Sequence, residues 1–186
     1  MTKTELRQLY KSKRQSLSDE EIDRLSKQIL ENFKSKFSFE HKPISIFLPI
    51  ERFKEVNTWG FLKNYSAYYY LPVVKSNGLV HVKYESSAQL KITDWGILEP
   101  QFGQQTKPNL FDIVLVPLLA YDQYGNRVGY GKGLYDGFLK NCHSHCLFIG
   151  LSFFEPEAQA IETIPSDIRL HYCITPNGIH HFGTPN

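Results

Sequence analysis

Phe111-Asp-Ile-Val-Leu-Val-Pro117 and, four residues on, Tyr121-Asp-Gln-Tyr-Gly-Asn-Arg-Val-Gly-Tyr-Gly-Lys-Gly-Leu-Tyr-Asp136 decide the fold. The first is an apolar run closed by a proline, the pattern of a strand buried on both faces. The second places Gly125, Gly129, Gly131 and Gly133 within nine residues. A helix is predicted beyond them, from Tyr135 to about Cys142. Strand, glycine-rich turn and helix in that order form the repeating unit of a parallel α/β sheet.

The flanking sequence repeats the alternation. Leu6, Leu9 and Tyr10 lie at helical spacing in a segment from Lys3 to about Ser16. Ser18 and Glu21 form a capping-box pattern, and Ile22, Leu25, Ile29 and Phe33 continue it as one apolar stripe. Ile44–Leu48 reads as a buried strand and Val56–Lys63 as a short helix. Tyr68–Val74 and Leu79–Tyr84 read as strands about a Ser76-Asn77-Gly78 turn. Cys146–Phe153 and Tyr172–Thr175 complete the predicted strands. The expected architecture is a single-domain, three-layer α/β sandwich over residues 1–186, with a mostly parallel, Rossmann-like sheet. Ligands of such sheets bind beyond the carboxyl ends of the strands.

Composition narrows the function. The 186 residues carry 21 basic and 19 acidic side chains, a net +2, which lacks the strongly basic face of a nucleic-acid binder. Three cysteines in a chain of this size read as free thiols of a reducing compartment. The polar start and the lack of a long apolar run point to a cytoplasmic protein with no membrane partner. Aromatic residues at 14% suit both a core and a pocket for a flat ligand.

The glycine segment carries the chemistry. Glycine admits positive φ and close approach of a ligand to backbone N–H groups, and such groups before a helix bind anions. Arg127 and Lys132 add cations within the same loop. The dinucleotide and P-loop patterns both fail here, because Leu134 stands at the third glycine position of one and Gly133 replaces the Ser/Thr of the other. A ligand-free turn would also account for the glycines, and Arg127 and Lys132 within the loop weigh against it. Asp136 suits either the helix dipole or a Mg2+ ion beside phosphates. Lys3 and Arg7, four apart, share a helix face that Arg14 extends, which reads as a solvated basic face.

Three separated pieces of the chain together resemble the 5-formyltetrahydrofolate cyclo-ligase family. They are Lys3-x-x-Leu6-Arg7, the run from Val116-Pro-x-x-Ala-Tyr-Asp122 through Gly125, Arg127, Gly129, Gly131 and Gly133 to Tyr135-Asp136, and Asp167 followed by apolar residues and Thr175. The resemblance implies ATP- and Mg2+-dependent conversion of 5-formyltetrahydrofolate to 5,10-methenyltetrahydrofolate, by a monomer whose partners are small molecules. It implies that Lys3, Arg7, Arg127, Gly129, Tyr130, Gly131, Lys132, Gly133, Leu134 and Tyr135 hold ATP. Leu48, Glu55, Tyr130, Lys132 and Leu134 would meet the folate. Lys132 and Arg127 would act on the transferring phosphoryl group, and Asp136 and Asp167 would hold the metal. Leu134 stands where the family carries a tyrosine. A binder without turnover and a phosphosugar enzyme are the competing readings.

Other features read as structural. Cys142-His-Ser-His-Cys146 is too compact for tetrahedral zinc. His180-His181 reads as a solvated tail and Tyr68-Tyr-Tyr70 as a strand with packed rings. Trp95 suits either the folate pocket or ordinary packing.

Overall fold

A computed structural model describes residues 1–63, 66–94 and 96–183. Trp95 lies outside the described residues. Twelve strands and four α-helices are assigned among them. The helices are α1 (Lys3–Gln15), α2 (Asp19–Lys36), α3 (Trp59–Leu62) and α4 (Leu134–Leu139). The main sheet contains β1 (Pro43–Ser45), β2 (Tyr68–Lys75), β3 (Gly78–Lys83), β6 (Gln105–Thr106), β7 (Ile113–Pro117), β10 (Leu147–Leu151), β11 (Tyr172–Thr175) and β12 (Gly178–His181). Two small hairpins pair β4 (Leu90–Ile92) with β5 (Leu98–Pro100), and β8 (Ala120–Tyr121) with β9 (Arg127–Val128).

The strand order is β12-β11-β10-β7-β1-β2-β3-β6. The five strands from β11 to β2 pair in parallel, and antiparallel strands border them on both sides. The expected mostly parallel α/β sheet is therefore present. Strand β7 shows why its sequence reads as a continuous apolar run. Ile113 and Leu115 enter the core shared with Ile29 and Phe33 of α2, whereas Val114 and Val116 enter the core shared with Phe138 and Leu139 of α4. Alternation persists, but both faces are covered.

Both N-terminal helices start at complete capping boxes, Thr2 with Glu5 and Ser18 with Glu21. Several boundaries differ from expectation. Only Pro43–Ser45 qualify as a strand in the 44–48 run, although the Ile46 N–H still bonds the Tyr70 carbonyl at 3.0 Å. Helix α3 keeps four of its eight predicted residues, and α4 ends at Leu139, ahead of Cys142. His180-His181 is not a tail. The pair lies in β12, where His181 stacks on Tyr172 with centroids 4.6 Å apart and His180 meets Glu155 at 3.0 Å. Ring packing against the neighbouring strand orders two residues that look merely polar.

From β1 the chain crosses to β2 on one side, while β7 lies on the other. The strand order reverses between β1 and β7, and ligands of such sheets bind beyond the carboxyl ends at that switch point. The loops that follow these two strands carry Glu55 and the glycine segment.

Candidate functional site

The glycine segment begins as a hairpin. Asp122 is fully buried and accepts from the N–H groups of Tyr124 (2.9 Å), Asn126 (2.9 Å) and Ile161 (2.8 Å), and from Asn126 Nδ2 (2.8 Å). Four donors on two oxygens make a satisfied buried carboxylate, which fixes the β8–β9 turn. Gly125 is required there: φ is +82°, and a Cβ would lie 2.7 Å from the Leu170 carbonyl. Its role is in the hairpin, ahead of residues 129–133.

Residues 129–133 connect this hairpin to α4. Helix α1 lies against them, although it is more than a hundred residues away in sequence. Arg7 Nε donates to the Gly129 carbonyl at 2.9 Å. A Cβ on Gly131, at φ +93°, would lie 3.3 Å from the Arg7 guanidinium. A glycine at 131 thus gives the cation room against the loop. Lys3 pairs with Asp167, whose Oδ2 also accepts from the Ile164 N–H at 2.9 Å.

Arg127 pairs with Asp136 at 2.7 Å and also donates to the Ile168 carbonyl. Asp136 Oδ1 accepts from the Ile168 N–H at 3.0 Å. The structure therefore brings Asp136 beside the residue that follows Asp167, and sets a cation on each acid. Burial pushes the Asp167 carboxyl up, but the Lys3 bond, the Ile164 N–H and the nearby Arg127 charge outweigh it and hold it below the usual range.

Deeper in, Glu55 is 4% exposed. Its Oε2 accepts from the Ile50 N–H at 2.8 Å and its Oε1 from the Tyr130 hydroxyl. Arg14 Nη1 donates to the same hydroxyl at 2.9 Å, and Nη2 to the Leu118 carbonyl. Burial raises the Glu55 carboxyl, and the Arg14 charge opposes the rise. Burial and the Glu55 charge raise the Tyr130 hydroxyl. The Tyr135 hydroxyl is buried and has no hydrogen-bond partner among the described residues.

Arg14 corrects the expectation of a solvated basic face, because its side chain is 2% exposed. The signal was in the sequence. Leu6, Tyr10 and Arg14 follow at four-residue steps on one stripe, and all three are buried. Arg7 is half-buried against the loop and Lys3 half-buried on Asp167, rather than free in solvent. Leu48 lies in the main core cluster at 6% exposure. Gly133, Leu134 and exposed Lys132 border a cleft of about 360 Å3 that is also lined by Leu79, Phe138 and Asn141. Gly133 has φ +64° and directly precedes α4. Among the described residues no three His, Cys, Asp or Glu side chains gather as a metal site, the Cys142–Cys146 segment included. The three cysteines are free.

The model of the 5-formyltetrahydrofolate cyclo-ligase family matches residues 1–175, which include the α1 cations, the glycine segment and Asp167. The chain belongs to that family. It is 31% identical to a probable 5-formyltetrahydrofolate cyclo-ligase of Caenorhabditis elegans over 198 aligned positions, covering 90% of this chain and 89% of the relative. With the 5-formyltetrahydrofolate cyclo-ligase of Haemophilus influenzae it is 34% identical over 104 residues, so the match spans about half of each, 53% and 54%. The NMR structure of Aquifex aeolicus 5,10-methenyltetrahydrofolate synthetase superposes with a TM-score of 0.83 at 31% identity, over 100% of this chain and 95% of that one. Like the family match, that superposition takes in α1, the glycine loop and α4. No helix among the described residues of this cyclo-ligase family member is long and apolar enough to cross a membrane.

Proposed function

We propose that this chain converts 5-formyltetrahydrofolate to 5,10-methenyltetrahydrofolate with MgATP, releasing ADP and phosphate. Family membership supports the substrate class. The observation that carries the reading is the seating of Arg7 on the glycine loop, bonded to Gly129 and packed against Gly131. It gathers cations from the two ends of the motif about backbone fit for phosphates.

In the proposed reaction the formyl oxygen attacks the γ-phosphorus and ADP departs. N10 then attacks the formyl carbon, the oxygen leaves with the phosphate, and the N10 proton is lost. The chain's task is to align two substrates and to stabilise negative charge as it develops. Lys3, Arg7 and Arg127 hold the phosphates, with Gly129, Gly131 and Gly133 allowing close approach. Lys132 and Arg127 serve the transferring group. Tyr130, Leu134 and Tyr135 flank the nucleotide, and the orphan Tyr135 hydroxyl suits a ligand acceptor. Leu48, Glu55, Tyr130, Lys132 and Leu134 meet the folate, with Glu55 accepting from the pterin's N–H edge.

Asp136 and Asp167 suit magnesium, which usually takes one or two carboxylates beside phosphate oxygens and water. Among the described residues the hydrogen bonds given for these carboxylates fall on Oδ1 of Asp136 and Oδ2 of Asp167, and the other oxygen of each suits a cation. Bound there, the ion would screen charge on the phosphates. The test is ultraviolet absorbance of the methenyl product, with and without ATP. An ATP-dependent rise is expected; absorbance that stays flat with MgATP and 5-formyltetrahydrofolate present rejects the reading.

A further inference from the structure

We propose that Arg14 is a positioning residue for the folate: through the Tyr130 hydroxyl it orients and charge-balances the Glu55 carboxylate at the β1–β7 switch point. The inference rests on the reading of Glu55 as a folate contact.

A guanidinium on the buried stripe of a helix needs compensation, because burying a charge is costly unless an anion and acceptors meet it. The acceptors are the Tyr130 oxygen and the Leu118 carbonyl. The anion is Glu55. Its carboxylate is faced by Arg14 from α1, Tyr130 from the glycine loop and Tyr135 from α4, and by the Ile50 N–H from its own segment. Of these groups only Arg14 carries a positive charge.

The chemistry fixes the direction of the relay. A guanidinium can only donate and an ionised carboxylate can only accept. The single Tyr130 proton therefore goes to Glu55, and Arg14 fills a lone pair on the same oxygen. The Tyr130 ring is held by stacking on Phe53, with centroids 5.1 Å apart. Among the described residues Tyr130 donates to Oε1 of Glu55 and Ile50 to Oε2, and a carboxylate oxygen has a further lone pair to offer. A pair of adjacent N–H groups, as on a 2-amino-4-oxopteridine, can then be accepted without displacing the protein bonds. Without Arg14 the buried carboxylate would sit with no cation, and protonation would replace an acceptor with a donor.

Steady-state kinetics of the full chain with MgATP test this in Arg14→Met, Arg14→Lys, Tyr130→Phe and Glu55→Gln, between about pH 6 and 9. Arg14→Met and Tyr130→Phe should raise the KM for 5-formyltetrahydrofolate about tenfold or more, as expected for one lost hydrogen bond to a charged group, while the ATP KM moves less than about twofold. In Arg14→Met the folate KM should recover as pH rises, because base re-ionises Glu55. Arg14→Lys restores the charge and should abolish that recovery. A purely structural arginine predicts none of this pH dependence.

An unchanged folate KM in Tyr130→Phe overturns the proposal, as does an unchanged folate KM in Arg14→Met. So does a parallel rise of both KM values with a lowered melting temperature and no effect of pH. If Arg14→Met does not fold, Tyr130→Phe decides, since it keeps the ring and most of the packing. Wild-type protein without turnover would instead sink the proposed function. An active wild type whose Glu55→Gln variant loses folate affinity, while Tyr130→Phe does not, removes only the role of Arg14.

Discussion

Arg7 and Arg14 show how far a single residue can be read. Both were visible as cations of the first helix, and the proposed role of Arg7 at phosphates comes from the resemblance to the family. Periodicity also puts Arg14 on the stripe of Leu6 and Tyr10, but its burial depends on Tyr130 and Leu118, which arrive over a hundred residues later. Lys132 is a different case: it is exposed within the glycine loop, on the rim of the cleft. If it meets the transferring phosphoryl group, Lys132→Met should lower kcat more than it raises the ATP KM. A normal kcat with only a raised KM would assign Lys132 to ground-state binding. Leu134 borders the same cleft with Leu79 and Phe138. Leu134→Tyr should tighten folate binding by about 0.5–1.5 kcal/mol if the new ring stacks on the pterin. Calorimetry giving equal or weaker affinity would place position 134 away from the folate.

At the scale of elements, the sequence announces those with a strong local signal. The capping box at Ser18 and the apolar run before Pro117 appear where the pattern puts them, and of the expected Ser76-Asn77-Gly78 turn Ser76 and Asn77 form the turn while Gly78 opens β3. Elements set by distant partners were not legible. The β8–β9 hairpin is held by a buried Asp122 rather than by alternation, and β12 is ordered by pairing with β11. A buried tie between β1 and β3 was equally hidden. His81 is 1% exposed, shares a 2.8 Å hydrogen bond with Ser45 and stacks on Phe138 with centroids 4.1 Å apart. Burial depresses its pKa to about 3. An unfolded histidine titrates near 6.5, so between the two values the unfolded chain binds the extra proton and stability falls as pH falls. Denaturant unfolding should show a loss of roughly 2 kcal/mol from this group between pH 7 and 5. His81→Gln has no titrating ring and should flatten that part of the slope. An equally steep profile in the variant would show that other groups control acid unfolding.

At the scale of the whole molecule, the site is assembled by topology. Asp136 opens α4, and Asp167 lies in the connection between β10 and β11. The Ile168 backbone joins them, since its N–H bonds Asp136 and its carbonyl takes Arg127. Lys3 reaches Asp167 from the far end of the chain. Two of the proposed phosphate cations, Lys3 and Arg127, thus pair with the two proposed metal carboxylates. MgATP would exchange these partners, with cations turning to phosphate and carboxylates to the ion, so little net charge is left unpaired on either side of the exchange. Two carboxylates sharing one ion act as a unit, and their losses should not add. Either Asp→Asn change should remove most Mg2+-dependent turnover, and the double variant should be little worse than the poorer single one. Binding of ATP without metal separates this from damage to the fold. Asp136→Asn and Asp167→Asn release Arg127 and Lys3, so metal-free ATP should bind at least as tightly as to the wild type. Two unrelated surface ion pairs would instead give small, additive effects, since exposed pairs contribute about 0–1 kcal/mol. Near-wild-type turnover across a magnesium titration of Asp136→Asn would end the metal assignment. Weaker metal-free ATP binding in both variants would end the partner exchange.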